Sequence, residues 1–291
     1  MSSQGRLFLG AVAGLCFPLA LLAADAAPKA AKLTAAQVVD KHIAARGGLQ
    51  AWSGVQTIAW NGKMDVGFGD SAARAARYVS NAANTKSVKK KLAQLEAEGK
   101  PETAKQVQLP FLLEMKRPTK SRVEIEFDGK TSIQVYDGSN GWMMRPYLNR
   151  TDWEAFSPEQ AKVQAAEAGL DGLLFDYAKK GTKVDLESVD PVEGHDAYKL
   201  KLTMKSGDIR HVWIDAQSFL DVKVEGTPRH MDGRMRTVWV YQRDFRAVQG
   251  LMVPFVLETA VDGYKDTHKM VIEKVALNPA LDDSKFVPPK S

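Results

Sequence analysis

The chain has 291 residues, 44% of them hydrophobic, enough for one large domain or two small ones with a substantial core. Its formal charge is +5, and residues 71–108 alone, with eight basic and three acidic side chains, account for that excess, which argues against a nucleic-acid-binding core and for one local basic surface. The single cysteine, Cys16, excludes an intramolecular disulfide, so stability must come from packing.

Arg6 precedes an apolar run, Leu7 to Ala24, interrupted by Gly10, Gly14 and Pro18 and closed by Ala24-Asp25-Ala26. This is the pattern of a cleaved signal peptide, expected over 1–26, with a single domain over 27–291 in the periplasm. Cys16 then leaves with the leader. A helix is predicted next. Thr34 and Gln37 form a capping box, Val39 and Ile43 stack one turn apart, and Gly47-Gly48 stops it. Ile58, Trp60, Met64, Val66 and Phe68 then alternate as a strand, with Gly62 marking a bulge or bend.

Residues 71–108 interrupt the strands with an Ala-, Lys- and Glu-rich stretch that favours helix. Its thin stripe of Val88, Leu92 and Leu95 fits either a solvated excursion or an amphipathic contact with an anionic membrane, in which Lys89, Lys90 and Lys91 would make a transient contact. Strands resume from Phe111 to Lys116. Val123, Ile125 and Phe127 alternate up to the tight turn Asp128-Gly129; Ile133 and Val135 follow, then Trp142 to Met144. Ser157 and Gln160 frame a second capping box with Pro158 at the first helical position, and the apolar cluster Leu170, Leu173, Leu174 and Phe175 follows that helix. The last third alternates again, through Tyr198 to Met204, Ile209 to Ile214, Val222 to Glu225, Val238 to Phe245, Phe255 to Val261 and Met270 to Val275. So many hairpins predict a sheet that curls toward a barrel or folds into two layers.

No catalytic motif stands out. The five histidines are not at metal-ligand spacing, and neither H-E-x-x-H nor G-x-S-x-G occurs. No enzyme activity, metal or cofactor is therefore expected. What does stand out is apolar bulk on strands, including Trp213 and Trp239. Trp60, Met64, Val66, Ile125, Phe127, Val135, Trp142, Met144, Leu200, Leu202 and Met204 are the candidate lining of a ligand cavity, methionines lending it adaptability. Pattern alone leaves core and cavity both open for each of them.

Several stretches resemble the LolA-like family of outer-membrane lipoprotein-sorting and carrier proteins. They are Val38 to Leu49, Met115-Lys-Arg-Pro118 with Arg122 to Phe127, Gln134 to Gly138 with Gly141-Trp142, Asp171 to Tyr177, His195 to Leu200, Val212 to Asp215, and Asn278-Pro279 to Phe286. The resemblance covers most of 34–288 and rests on structural rather than catalytic motifs. It implies a mostly antiparallel α+β fold: a strongly curved, unclosed β-barrel with a helical lid over its concave face, supplied by 34–46 and 157–177. It also implies a carrier or chaperone that shelters the acyl chains of lipids or lipoproteins and meets donor and acceptor proteins at membranes. A sensor of envelope state on the same fold is the alternative.

Overall fold

The computed structural model describes residues 33–66 and 107–289. The expected signal peptide, and Lys89, Lys90 and Lys91 with most of the basic segment, lie outside the described residues. Val107 and Gln108 already belong to a strand, so the interruption is shorter at its C-terminal end than the composition implied.

The predicted helix is α1 (Ala35–Ala45), and its capping box forms in both directions between Thr34 and Gln37. A one-turn helix, α2 (Leu49–Ser53), follows. Then come β1 (Thr57–Val66), β2 (Val107–Lys116), β3 (Lys120–Phe127), β4 (Lys130–Tyr136), β5 (Gly141–Arg145) and β6 (Arg150–Ala155), with a 3-10 turn, Pro146–Leu148, between the last two. Helix α3 (Pro158–Glu167) carries the second reciprocal capping box, Ser157 with Gln160. The chain continues through β7 (Lys183–Val192), β8 (His195–Thr203), β9 (Ile209–Asp215) and β10 (Asp221–Glu225). A short hairpin, β11 (Arg229–Met231) with β12 (Arg234–Arg236), precedes β13 (Val238–Val248), β14 (Leu251–Val261) and β15 (His268–Leu277). A C-terminal 3-10 turn, Asp283–Phe286, ends the described chain. Strands β6 and β7 and the β11–β12 hairpin are additions to the sequence reading; charged residues on both parities hide their alternation.

Thirteen strands make one antiparallel sheet in the order β6-β5-β4-β3-β2-β1-β15-β14-β13-β10-β9-β8-β7. Two meanders are thus fused where the first strand pairs with the last. Among the described residues β6 and β7 are the two edges, so the barrel is unclosed. Register shifts at Asn61/Gly62, Leu186/Ser188 and Asp221/Lys223 supply the local bending that a sheet this wide needs. At Gly62 a Cβ would collide with the Val271 carbonyl, so only glycine allows β1 and β15 to approach there.

Side chains facing each other across an antiparallel pair share a face, so the register sorts the sheet into two sides. Trp60 pairs with Leu113, Leu113 with Val123, and Val123 with Gln134, which faces Met143. In the other direction Met64 pairs with Met270, Met270 with Leu257, and Leu257 with Gln242. Val240, two residues from Gln242, continues that side through Val224, Val212 and Leu200. This is the inner, concave side, and it holds the main core: Trp52, Phe111, Ile125, Phe175, Val253, Phe255 and Ile272 are buried together.

Candidate functional site

The inner wall over β1–β3, β14 and β15 is apolar and only partly closed. Around its buried centre stand the half-buried side chains of Trp60, Met64, Leu113, Val123, Phe127, Leu257 and Met270. Four of the proposed lining residues, Trp60, Met64, Ile125 and Phe127, come together here. Val66 ends β1, and its side chain lies outside the described residues. Leu200 and Leu202 share the inner side but are wholly buried, far around the sheet on β8. Helix α1 covers that region: it contacts β7 and buries Val38 and Val39 completely. The two leucines are placed as core.

Three residues fall on the other side. Val135 pairs with Arg122 on one flank and Trp142 on the other, opposite in parity to Gln134 and Met143, and Met144 shares the parity of Trp142. All three face outward. Trp213 and Trp239 are outward too, paired with Lys223 and Glu225 of β10. Met204 lies past the end of β8, in the turn to β9, where its sulfur accepts a hydrogen bond from Thr182 Oγ1 at 3.8 Å. The outward bulk has its own covers. The C-terminal turn contacts β3 and β4 and buries Phe286 completely. Lys116 and Lys120 each pair with Asp283 at 2.8 Å, and Arg122 donates to the Lys285 carbonyl at 2.9 Å. Farther round, the Lys223 ammonium sits 4.4, 5.0 and 5.4 Å from the ring centres of Trp213, Trp239 and Tyr241.

Over the inner wall lies a lid built from the end of α1, α2 and the apolar stretch after α3. Phe175 is its anchor: its ring lies 5.7 Å from Trp52 and 6.0 Å from His42. Polar ties hold the lid to both meanders. Arg46 donates from Nε to the Met252 carbonyl and from Nη1 to Asp221, each at 2.8 Å, with its guanidinium 5.0 Å from the Trp52 ring. Arg117, in the turn between β2 and β3, donates from Nε to the Val55 carbonyl and from Nη2 to the Trp52 carbonyl, and also grips the Asp171 carboxylate, Nη1 to Oδ2 at 2.8 Å. Gln164 of α3 reaches Ser121 on the inner side at 3.1 Å, and Glu167 meets Arg229 of the hairpin at 3.7 Å. His42 faces the Phe219 carbonyl through Nδ1 at 3.0 Å. Burial, helped by Arg46 and opposed by Asp221, holds its pKa below the ordinary imidazole value.

The wall is hydrocarbon, aromatic rings and thioethers, with one orphan polar atom: the buried Trp60 Nε1 has no acceptor among the described residues. Such a donor suits a ligand oxygen that enters among apolar groups. Among the described residues no group of three or more His, Cys, Asp or Glu side chains is arranged to hold a metal ion. No described helix is long and apolar enough to cross a membrane. The lid's polar ties, which link segments far apart in sequence, have no local signature.

No protein-family model matches the chain, and no curated protein matches it in sequence. Solved structures do match it in shape. One is a LolA superfamily protein from Nitrosomonas europaea, 16% identical, covering 88% of this chain and 98% of its own, with a TM-score of 0.52. Another is a DUF1329 family protein from Desulfovibrio piger, 11% identical, covering 87% of this chain and 97% of its own, with a TM-score of 0.51. The fold is LolA-like.

Proposed function

We infer that the protein is a non-enzymatic periplasmic carrier that shelters acyl chains, of lipids or of lipoproteins, between membranes. The observation that carries this reading is the half-buried apolar wall around Trp60, Met64, Leu113 and Phe127 beneath a lid held by discrete polar ties. Moving one methylene out of water is worth about 0.8 kcal/mol, so an acyl chain crosses an aqueous compartment only inside such a wall. A carrier must also release its load. The lid is held by the packing of Trp52 and Phe175 together with a few hydrogen bonds and ion pairs, and release requires both to part. The LolA superfamily name of a structural neighbour agrees with this use of the fold.

Organic extraction of the purified protein followed by mass spectrometry tests the reading. Acyl lipids should co-purify with the wild-type protein and be displaced by added oleate. Absence of lipid, together with no binding of oleate, would refute it. Export belongs to the same proposal: N-terminal sequencing of periplasmic material should begin near Ala27. Lys89, Lys90 and Lys91 are proposed to touch an anionic leaflet. Vesicles containing anionic lipid should therefore retain the wild type at low salt and release it at high salt.

A further inference from the structure

Arg46, Arg117, Arg145 and Arg210 are buried or partly buried on the lid and inner side, and of these only Arg145 has buried nitrogens without a partner among the described residues; Arg210 donates to Thr227 Oγ1 at 2.8 Å and to the Glu225 carbonyl at 3.4 Å. Arg46 uses Nε and Nη1 on a carbonyl and a carboxylate; Arg117 uses all three nitrogens. Arg145, at the end of β5, is different. Its side chain is completely buried, yet only Nη2 is bonded, to Glu154 of β6. Nε and Nη1 have no partner among the described residues. Glu154 is itself shared, since Arg150 Nη1 reaches both of its oxygens at 3.0 and 3.1 Å. Two guanidinium groups therefore face one carboxylate, leaving a net positive charge at a buried place. A guanidinium stays charged in proteins and cannot shed the cost by losing its proton.

The position of this orphan charge points to its use. Arg145 shares the inner side with Met143, two residues before it. Ile133 pairs with Met144, so one step on Arg145 stands beside Ser132, and Ser132 pairs with Ile125 of the apolar wall. Two strand spacings separate Ile125 from Arg145, about 10 Å, with only a small serine between them. Just beyond, the ring of Tyr147, two residues after Arg145, meets Phe127 of the wall edge-on at 6.1 Å. A hydrocarbon chain lying on the wall would bring its head to the side chains that cover Arg145, and the guanidinium, wholly buried here, is reached as these move aside.

We propose that Arg145 is an anion-binding site at the end of the acyl wall, accepting a carboxylate or phosphate oxygen at the head of an acyl ligand. The inference rests on the acyl-shelter reading and adds a chemical class to it: the ligand is acidic. Anionic oxygen completes the charge-assisted hydrogen bonds that the protein leaves unmade.

The test compares oleate with oleyl alcohol, which has the same chain and no charge, by displacement of a fluorescent fatty acid at pH 8. Wild type should bind oleate about tenfold more tightly than the alcohol. Arg145→Met should bind both equally, at the wild type's affinity for the alcohol, and Arg145→Lys should keep part of the preference. Thermal unfolding without ligand separates function from architecture. Removing a buried charge whose single partner is shared should leave Arg145→Met at least as stable as wild type, because Glu154 keeps Arg150. Dioleoyl phosphatidylglycerol against dioleoylglycerol, run in parallel, tells a phosphate head from a carboxylate. Equal wild-type binding within both pairs would overturn the anion site and leave the shelter standing. A preference that survives in Arg145→Met would also overturn it. Failure of every probe, the neutral ones included, would overturn the shelter reading and the anion site together.

Discussion

The two sides of the sheet are both apolar, but they are covered in different ways. On the outside Phe286 is fully buried, and Asp283 and Lys285 fasten its turn to Lys116, Lys120 and Glu114. That cover is a strap of consecutive residues lying on charged partners. On the inside Phe175 is equally buried, yet around it Trp60, Met64, Leu113 and Phe127 keep part of their surface. That cover is a lid drawn from three separated segments, tied by Arg46 and Arg117. The strap completes the packing of the outer face, whereas the lid leaves part of the inner wall exposed.

The largest effect that separates the two comes from their anchors. Phe175→Ala and Phe286→Ala should each cost about 3–5 kcal/mol in denaturant unfolding, as truncation of a fully buried phenylalanine does. Only the first should also speed the release of bound oleate. Equal release from both variants would erase the distinction between lid and strap. A smaller effect is expected from the lid's tie. Asp171→Asn removes the charge that Arg117 grips while leaving the fold intact, and should cost about 1.5–3 kcal/mol, at the low end because both side chains keep some solvent. Stopped-flow displacement should show faster ligand exchange than in wild type.

Acid should open the two covers in order. Burial lowers the pKa of His42 in the folded lid, whereas the unfolded chain takes up that proton near pH 6.5. The lid is therefore fully stable above about pH 6.5 and loses stability as the pH falls from there toward the folded value. The strap behaves otherwise. Lys116 and Lys120 hold Asp283 at about 2, below its ordinary 3.8, so its contribution is complete above that ordinary value and is lost only as the pH falls toward 2. Hydrogen exchange, corrected for intrinsic rates, should rise around Phe175 at pH 5.5 while the Phe286 region stays protected. Simultaneous loosening, or loss of the strap first, would break the comparison.

Much of the fold is legible in the sequence, because its cues are local. Both capping boxes, the Gly47-Gly48 stop and the Asp128-Gly129 turn need only neighbouring residues, and each forms as its chemistry requires. The candidate site is legible only in part. Trp60, Met64, Ile125 and Phe127 lie on strands with one clear apolar parity. On β4 and β5 the parity misleads: the outward Ile133, Val135, Trp142 and Met144 are all apolar, whereas the inward set mixes Tyr136 and Met143 with Ser132, Gln134 and Arg145. Alternation locates an apolar face without saying which way it points, and the outer strap reverses the usual relation. A cue was present at the C-terminus, where Leu281 and Phe286 bracket charges complementary to Lys116 and Lys120. Arg145 was illegible for another reason: a lone arginine in a strand gives no sign of burial.

The central claim is that the inner wall, and not apolar surface in general, shelters the acyl chain. Leu112 and Leu113 are neighbours on β2, both half-buried, one facing out beside Glu124 and the other in beside Val123. Leu113→Gln removes inner wall and should weaken oleate binding about tenfold, the value of one leucine side chain taken out of contact. Leu112→Gln should leave binding within about twofold, since its side chain stands on the other face. Equal losses from the two variants, with folding intact in both, would contradict the claim.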